Sequence, residues 1–369
     1  MCINSFIDCN GDSSLKRYNS RYKFIDVAKG IGIILVLMGH FFIYRSPVTQ
    51  VIYSFHMPLF FILSGIFLKG PDVDNEGIRG VGRYVWKKTK RLGLMYVLFF
   101  VLSVAAVAVF DRKTYPLKRI IRAFLGERLR TFHVGPIWFL LALYIIVLIY
   151  GFLYVCKCSK WNSWVKLILM QVLLFGAYRL PEYMERFGWS FAPLFINVIP
   201  MGLFFVLLGI CFRKEILEIP SVSIGTRCII TVVAVVLTFV LSFRYLGFME
   251  FMTGGFGDDL FIFMFAAIVG SIAIVFGSSL LANHWPGTAL AYVGKHTMVL
   301  LGLHRIVSYY CAKIFYAIFK IKIAPAISLP DRYAFLWTIF ILLVILGADA
   351  FIHWGAAKYK EIIRICVQQ

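Results

Sequence analysis

Three ionisable residues lie in one long apolar stretch near the start of the chain. In the run FIDVAKGIGIILVLMGH they are Asp26, Lys29 and His40. On an α-helix, Lys29 and His40 lie within roughly 20° of one face and about 16 Å apart along the axis. Asp26 shares that face and can neutralise Lys29. Ionisable residues inside a spanning helix are functional candidates, so this face indicates a channel wall rather than a lipid contact.

A second histidine, His56, lies in the next apolar stretch, in the run YSFHMPLFFILSG. It is roughly 12 Å below the predicted outer boundary, by helix rise, and His40 lies at a similar depth. Histidine titrates near neutral pH, which suits it to take a proton from a hydroxyl group. A lone histidine in an apolar helix is commonly a structural residue. Two at matched depth, one of them on the Lys29 face, favour a reaction site.

The composition predicts what holds these residues in place. Hydrophobic residues make up 61% of the chain and charged residues 15%, against about 45–50% and 25% in soluble domains. Spanning a bilayer takes about 20 apolar residues. That length predicts ten segments, at 25–44, 48–68, 91–110, 136–155, 164–180, 191–212, 228–246, 259–282, 296–319 and 333–356.

We therefore predict an all-α protein, a polytopic transmembrane bundle of about ten helices embedded in the lipid bilayer. The membrane domain covers 21–357, after a mobile N-terminus over 1–20 and before a short cytoplasmic tail over 358–369.

The charge distribution predicts the orientation. The net charge of +20 would suggest nucleic acid in a soluble protein. Here Lys and Arg lie in short loops between apolar segments, as membrane insertion requires, so no nucleic-acid partner is expected. The excess of basic residues places both termini in the cytoplasm. The basic loop 111–135 is then outside, against the rule, and its pattern predicts an amphipathic helix on the surface.

Several of these residues stand in longer motifs. Asp26-x-x-Lys29-Gly30, Gly39-His40 and FHMPLFFILSG resemble the opening of acyltransferase family 3, in particular its fucose 4-O-acetylase-like subgroup. Later matches are GPIWFL at 135–140, which includes Trp138, GKHTM at 294–298 and Leu303-His304. Lys29 stands where the family often has Arg, and an ammonium group lacks the planar fork of a guanidinium.

This resemblance implies a multi-pass O-acyltransferase of the bacterial cytoplasmic (inner) membrane. It would transfer an acyl group, acetyl in the first instance, from a coenzyme A thioester to a hydroxyl of a cell-surface glycan or lipid-linked sugar. The resemblance implies that His40 is catalytic, as a base or as the carrier of the acyl group. His56 could orient His40 or polarise the carbonyl. Acetyl-CoA or another acyl-CoA is then a co-substrate, and we expect no permanently bound cofactor and no metal.

A basic cluster before the third span could bind the donor. Its members are Arg83, Lys87, Lys88, Lys90 and Arg91. Residues 83, 87 and 90 or 91 share a helix face, and charge-assisted contacts to phosphate suit such a cluster. The alternative is the ordinary positive charge of a cytoplasmic loop. Lys29 would lie along the path of the pantetheine arm.

Other polar residues are assigned supporting roles. They are Asp26, Ser64, Trp138, His304 and Arg305. The pair His304 and Arg305, inside the ninth segment, favours interhelical structure over direct chemistry. The predicted outer turn that contains Glu250 could contact hydroxyl groups of the acceptor.

Two other functions remain open from the sequence. Buried charges along a helix face also mark the substrate path of a transporter or flippase, although the two halves show no inverted repeat. A glycan polymerase would be expected to have large outer loops rich in arginine, and only 111–135 comes close. Release of free thiol from acetyl-CoA would distinguish the enzyme from both.

Overall fold

The computed structural model describes residues 22–127, 129–156, 192–244, 247, 249–320 and 331–368, with scattered residues between 168 and 186. The helices are α1 (Lys23–Phe41), α2 (Pro47–Ile66), α3 (Val73–Lys88), α4 (Leu94–Phe110), α5 (Leu117–Phe124), α6 (Trp138–Val155), α7 (Ile199–Cys211), α8 (Arg213–Glu218), α9 (Ile224–Arg244), α10 (Leu260–Leu281), α11 (Trp285–Lys295), α12 (Thr297–Phe319) and α13 (Asp331–Gln368). Two short strands, β1 (Met249–Glu250) and β2 (Gly255–Phe256), form an antiparallel pair.

Within these ranges, nine helical stretches are long and apolar enough to cross a membrane. They correspond to nine of the ten predicted segments, and they confirm the all-α polytopic membrane fold. The predicted fifth span, 164–180, lies largely outside the described residues. We refer to the end of the bundle where α1 ends as the outer end, following the predicted orientation, and to the opposite end as the inner end.

The third span differs from its predicted limits. Helix begins at Val73, with Asp72 as its N-cap, and continues through a π-helical turn at Thr89–Gly93 into α4. The segment expected to be a loop is therefore helical. We call this continuous helix, Val73–Phe110, the α3–α4 rod. Hydropathy detects only its apolar second half. The polar first half is held by a tertiary contact, because the hydroxyl of Tyr84 donates to the carbonyl of Val147 at 2.6 Å. The tenth span likewise continues as helix to Gln368, past its predicted end at 356.

Helix α1 lies at the centre of the bundle and packs against α2, α10, α11, α12 and α13. Its closest neighbour is α11, and glycine makes that approach possible. A Cβ atom added to Gly294 would lie 1.8 Å from the carbonyl oxygen of Asp26, and one added to Gly30 would lie 2.0 Å from that of Leu290. No side chain fits in that space, so the two backbones are in direct contact at the level of Lys29.

Connecting segments cover the outer end. The predicted amphipathic helix is present as α5, and its last residue packs into the bundle: the Phe124 ring lies 5.3 Å from the Tyr96 ring, whose hydroxyl donates to the Phe124 carbonyl at 2.5 Å. The β1–β2 hairpin lies beside it, and Phe251 between the strands packs on Trp138 of α6. These segments cover a cavity around the last turn of α1.

Candidate functional site

A cavity of about 250 Å³ opens at the outer end of α1. We call it the His40 cavity. Pockets for small molecules run from roughly 300 to 1,000 Å³, so this cavity is small for a whole cofactor-sized ligand. Its polar and aromatic lining consists of His40, Tyr44, Tyr53, His56, Arg130, His133, Trp138, Glu250, Phe251 and Arg305. Four of these, His40, His56, Trp138 and Arg305, belong to the predicted site.

His40 lies in the last turn of α1 and stacks on a second imidazole. The ring centroids of His40 and His304 are 5.2 Å apart, and the rings are inclined by 26°. His304 is fully buried, and its Nδ1 donates to the carbonyl of Leu300 at 2.8 Å. That bond fixes the ring, so His304 is a rigid support for the His40 imidazole. The structure thus places a residue expected to be structural directly against the predicted catalytic one.

Arg305 follows His304 on α12 and turns towards the cavity. Its Nη1 donates to the backbone carbonyl of His40 at 3.3 Å. Since a residue at the end of a helix leaves its carbonyl without an intrahelical partner, this hydrogen bond caps α1 from a neighbouring helix. It also brings a guanidinium group to the wall of the His40 cavity.

His56 reaches the same cavity from α2. Its ring lies 5.1 Å from the ring of Tyr53, and its Nδ1 donates to the carbonyl of Ile52 at 2.8 Å. The Tyr53 hydroxyl in turn donates to the carbonyl of Gly39 at 2.7 Å. Across the described part of the chain, no hydrogen bond joins His56 to His40. His56 therefore lines the cavity beside His40 without orienting it directly.

The mouth of the cavity carries an ion pair that the sequence did not single out as a pair. Arg130 pairs with Glu250 of the hairpin, and the Tyr44 hydroxyl donates to the other carboxylate oxygen of Glu250 at 3.3 Å. Burial and the nearby Glu250 carboxylate raise the pKa of Tyr44, which stays a neutral donor. Glu250, expected as a possible acceptor contact, is one of the residues that line the cavity.

His133 is a cavity residue that the sequence analysis missed. Its ring stacks on Tyr309 with centroids 3.6 Å apart, and its Nε2 lies 3.9 Å from Oδ2 of Asp111. Burial lowers the pKa of His133, and the Asp111 carboxylate opposes that shift in part. One signal was available: His133 comes two residues before the GPIWFL motif. GPIWFL starts the helix that carries Trp138. The residues just before this motif must therefore lie close to Trp138, at the outer end of the bundle.

Lys29 and Asp26 are close to each other but distant from the cavity. Lys29 Nζ lies 3.2 Å from Asp26 Oδ1 and 5.7 Å from the centroid of the Phe67 ring. Neither residue lines the His40 cavity, consistent with the roughly 16 Å of helix between Lys29 and His40. Ser64 also lies away from the cavity, and its hydroxyl donates within α2 to the carbonyl of Phe60 at 2.7 Å.

The predicted donor cluster is on the inner half of the α3–α4 rod. Arg83 is exposed and forms an ion pair with Glu76. The Lys88 ammonium lies 5.1 Å from the centroid of the Tyr84 ring. Lys87 lies near the end of α3, and Lys90 and Arg91 lie in the π-helical turn that follows it. None of these five basic residues lines the His40 cavity, so the structure separates a basic inner region from a histidine-containing outer one.

The double substitution Asp26→Asn with Lys29→Met tests whether Lys29 is more than a partner for Asp26. Replacing both members of a pair is often tolerated, so we expect this variant to fold. We also expect poor acyl transfer, because Lys29 faces the predicted path of the donor, whereas Lys29→Arg should keep substantial function. Thermal stability and turnover measured on the same preparations decide it. A stable and fully active double variant leaves Lys29 with a structural role alone.

The fold and this site define a class of protein: a multi-pass membrane protein whose helices enclose a polar cavity with a stacked histidine pair. The family described as "Acyltransferase domain" matches residues 22–353. The chain belongs to this family, acyltransferase family 3, which confirms the resemblance of its motifs.

Two curated relatives are similar to parts of the chain. Nodulation protein NolL of Mesorhizobium japonicum is 27% identical over 214 residues, which cover 54% of this chain and 49% of the relative. Nodulation protein NolL of Sinorhizobium fredii is 42% identical over 74 residues, covering 17% of this chain and 20% of the relative. The chain thus spans about half the length, or less, of the curated relatives it matches. No solved structure matches.

Proposed function

We propose that this protein is an integral membrane O-acyltransferase of the bacterial cytoplasmic membrane. It would transfer an acyl group, acetyl in the first instance, from a coenzyme A thioester to a hydroxyl of a cell-surface glycan or lipid-linked sugar. Family membership supports acyl transfer. The observation that carries the proposal is the position of His40, which stacks on buried His304 and lines a cavity with several polar and aromatic side chains.

The chemistry of the transfer matches what His40 can do. A sugar hydroxyl is a poor nucleophile and needs a base within hydrogen-bond reach. In the base route, His40 takes the hydroxyl proton as the oxygen bonds to the thioester carbon, and returns it to the departing thiolate. In the covalent route, the His40 imidazole attacks the thioester carbon and expels the thiolate. The hydroxyl then attacks the acyl-histidine, and the departing imidazole takes the hydroxyl proton and passes it to the thiolate. Both routes need a fixed and accessible imidazole, and stacking on His304 supplies it.

The small size of the cavity and the basic cluster at the inner end of the bundle together support a donor that enters from the inner end. At about 250 Å³, the His40 cavity can hold the acyl group and the acceptor hydroxyl with its ring. The phosphates of coenzyme A must then lie elsewhere, and the basic cluster from Arg83 to Arg91 offers charge-assisted contacts to them. The pantetheine arm would pass Lys29 between the two regions.

The outer lining of the cavity suits a carbohydrate acceptor. Trp138 and Phe251 stack with centroids 6.1 Å apart and present aromatic faces. Glu250, Arg130 and Tyr44 present donors and acceptors next to them. A sugar ring has an apolar C–H face and a rim of hydroxyls, and this mixture of groups matches both.

The direct test is thioester turnover by the purified full chain in detergent or nanodiscs. With acetyl-CoA and a hydroxylated acceptor, the enzyme should release free coenzyme A thiol and form an O-acetyl ester that mass spectrometry detects. A transporter or flippase moves its substrate without breaking the thioester. Absence of thiol release with a panel of glycan acceptors and acyl donors would exclude the proposed activity.

The variant Arg83→Ala with Lys87→Ala should weaken donor binding. We expect a raised KM for acetyl-CoA with little change in the acceptor KM, because phosphate contacts are lost. The effect should shrink as salt rises, since the Debye length falls from about 10 Å at 0.1 M to about 3 Å at 1 M. Steady-state kinetics at two salt concentrations measure it.

The chain offers a matched control for that experiment. Lys118 and Arg122 of α5 have the same spacing at the outer end, and Arg122 is paired with Glu127 as Arg83 is with Glu76. Lys118→Ala with Arg122→Ala should leave the acetyl-CoA KM unchanged. If both double variants change it equally, or neither does, the inner cluster is a feature of membrane topology and not a donor site.

A further inference from the structure

Arg305 is a guanidinium group inside the membrane bundle for which the described residues provide no carboxylate partner. Among the described residues it forms no ion pair, and its hydrogen-bond acceptor is the backbone carbonyl of His40. Charged side chains within spanning helices are rare and normally pair or mark a functional site. Arg305 lines the His40 cavity, the space where the reacting groups would lie.

Two other arginines of the described chain provide a comparison with Arg305. Arg130 at the cavity mouth is neutralised by Glu250. Arg213 at the inner end of the bundle donates to the backbone carbonyl of Leu68 at 2.6 Å, away from any predicted chemistry. Among the described residues neither Arg213 nor Arg305 forms an ion pair, and Arg305 in addition lies beside His40. A partly buried charge is maintained at a cost when no opposite charge lies next to it, so we expect a compensating negative charge to form in this cavity during the reaction.

We propose that Arg305 is a catalytic residue that donates hydrogen bonds to the carbonyl oxygen of the acyl group as that oxygen becomes negatively charged. The inference rests on the proposed acyl transfer, and it holds for either route through His40. When the acceptor hydroxyl or the His40 imidazole adds to the thioester carbon, a bond to that carbon forms and the carbonyl π electrons move onto oxygen. Their return restores the carbonyl and expels the thiolate. The thiolate takes up the hydroxyl proton from His40, at once in the base route and, in the covalent route, after the hydroxyl has displaced the imidazole from the acyl-histidine.

The geometry of α12 suits this role. The side chain of His304 supports the His40 ring, and the next residue, Arg305, reaches the backbone of His40 and the cavity. One short segment thus fixes both the imidazole and the guanidinium. A guanidinium presents five N–H donors in a planar fork, and one bond to the His40 carbonyl leaves several for an oxyanion. In a site shielded from water such donors act strongly and without reorganisation.

The test compares three substitutions of Arg305 in the full chain, with acetyl-CoA and an uncharged sugar acceptor. Arg305→Gln should lower kcat by about 100- to 1,000-fold, as loss of an oxyanion donor does in other enzymes. The acceptor KM should stay within about threefold of the wild-type value, because the contact strengthens in the transition state. Arg305→Lys should fall between, since an ammonium donates without the planar fork. Methylguanidinium added to Arg305→Ala should restore part of the lost kcat.

Arg213→Gln is the matched control, an arginine that donates to a backbone carbonyl far from the cavity. It should change thermal stability and leave kcat per folded molecule unchanged. If the neutral Arg305 variants fail to fold, Arg305→Lys decides the question by itself. A structural charge predicts full activity for it, and an oxyanion donor predicts a reduced kcat.

Three results would overturn the inference. One is wild-type kcat in a folded Arg305→Gln variant. Another is a loss confined to the KM of acceptors carrying a carboxylate or phosphate, which would make Arg305 a binding site for an anionic acceptor. The third is full activity of Arg305→Lys together with no rescue of Arg305→Ala. In each case the wild-type protein still turns over acetyl-CoA, so failure of this inference is distinct from failure of the proposed function.

Discussion

His40→Ala is expected to lose acyl transfer by about 100- to 10,000-fold while the protein still inserts and folds. That range is the usual contribution of a positioned acid or base, and loss of a covalent acyl carrier would place the effect at its upper end. The His40 side chain packs on His304 at the cavity wall, so its removal widens a cavity that is already present. The global fold should therefore persist. Thiol release and size-exclusion behaviour of the same preparation measure both effects.

A second histidine provides the control for His40. His284 is exposed at the start of α11, remote from the His40 cavity. His284→Ala should keep wild-type turnover. If folded His40→Ala retains more than about a tenth of wild-type activity, the loss is smaller than a catalytic proton transfer provides. His40 would then be a packing residue, and the neighbouring cavity histidines His56 and His133 would become the candidates.

The local part of this site could be predicted because helix geometry is regular. Once a span is assigned, spacing alone places Asp26, Lys29 and His40 on one face of α1. The same reasoning could have found Tyr53, which lies one turn before His56 on α2 and lines the same cavity. Which residues share a face of one helix depends only on their spacing, and that spacing can be read directly from the sequence.

Contacts between helices could not be predicted in this way. The approach of His304 to His40 depends on how α12 packs beside α1, which follows from the shapes of many side chains. The sequence therefore favoured a structural role for His304 and Arg305, and the structure places both against His40. Residues from connecting segments were harder still, because Arg130, His133 and Glu250 reach the cavity through the folding of chain outside the spans.

Hydropathy alone could not predict where the helices end. It finds the length of chain that is apolar enough for lipid, and a helix can continue past that length into water. The α3–α4 rod does so at the inner end, where polar α3 extends the apolar α4 and carries the basic cluster. The helix therefore presents Arg83 and Lys87 on a fixed scaffold, which a mobile loop would not provide.

Gly294→Ala is expected to disrupt the bundle from a position far from His40. The added Cβ atom would lie 1.8 Å from the carbonyl oxygen of Asp26 and 3.0 Å from the backbone nitrogen of Gly30. These are backbone atoms in helix α1, so they cannot rotate away, and α1 and α11 must separate. Overpacking of this kind typically destabilises a protein by about 1–3 kcal/mol, occasionally more. The displaced turn carries Lys29, so we expect lower thermal stability together with a higher KM for acetyl-CoA.

Gly347 supplies the matched control for that substitution. It also lies inside a helix, α13, but a Cβ atom added there meets nothing within 4 Å. Gly347→Ala should therefore leave stability unchanged or raise it, because alanine favours a helix over glycine by up to about 1 kcal/mol. Thermal unfolding of both variants in the same detergent makes the comparison. If Gly294→Ala unfolds at the wild-type temperature with an unchanged KM, the backbones of α1 and α11 are not in contact at Lys29. The donor path proposed along that face would then lose its support.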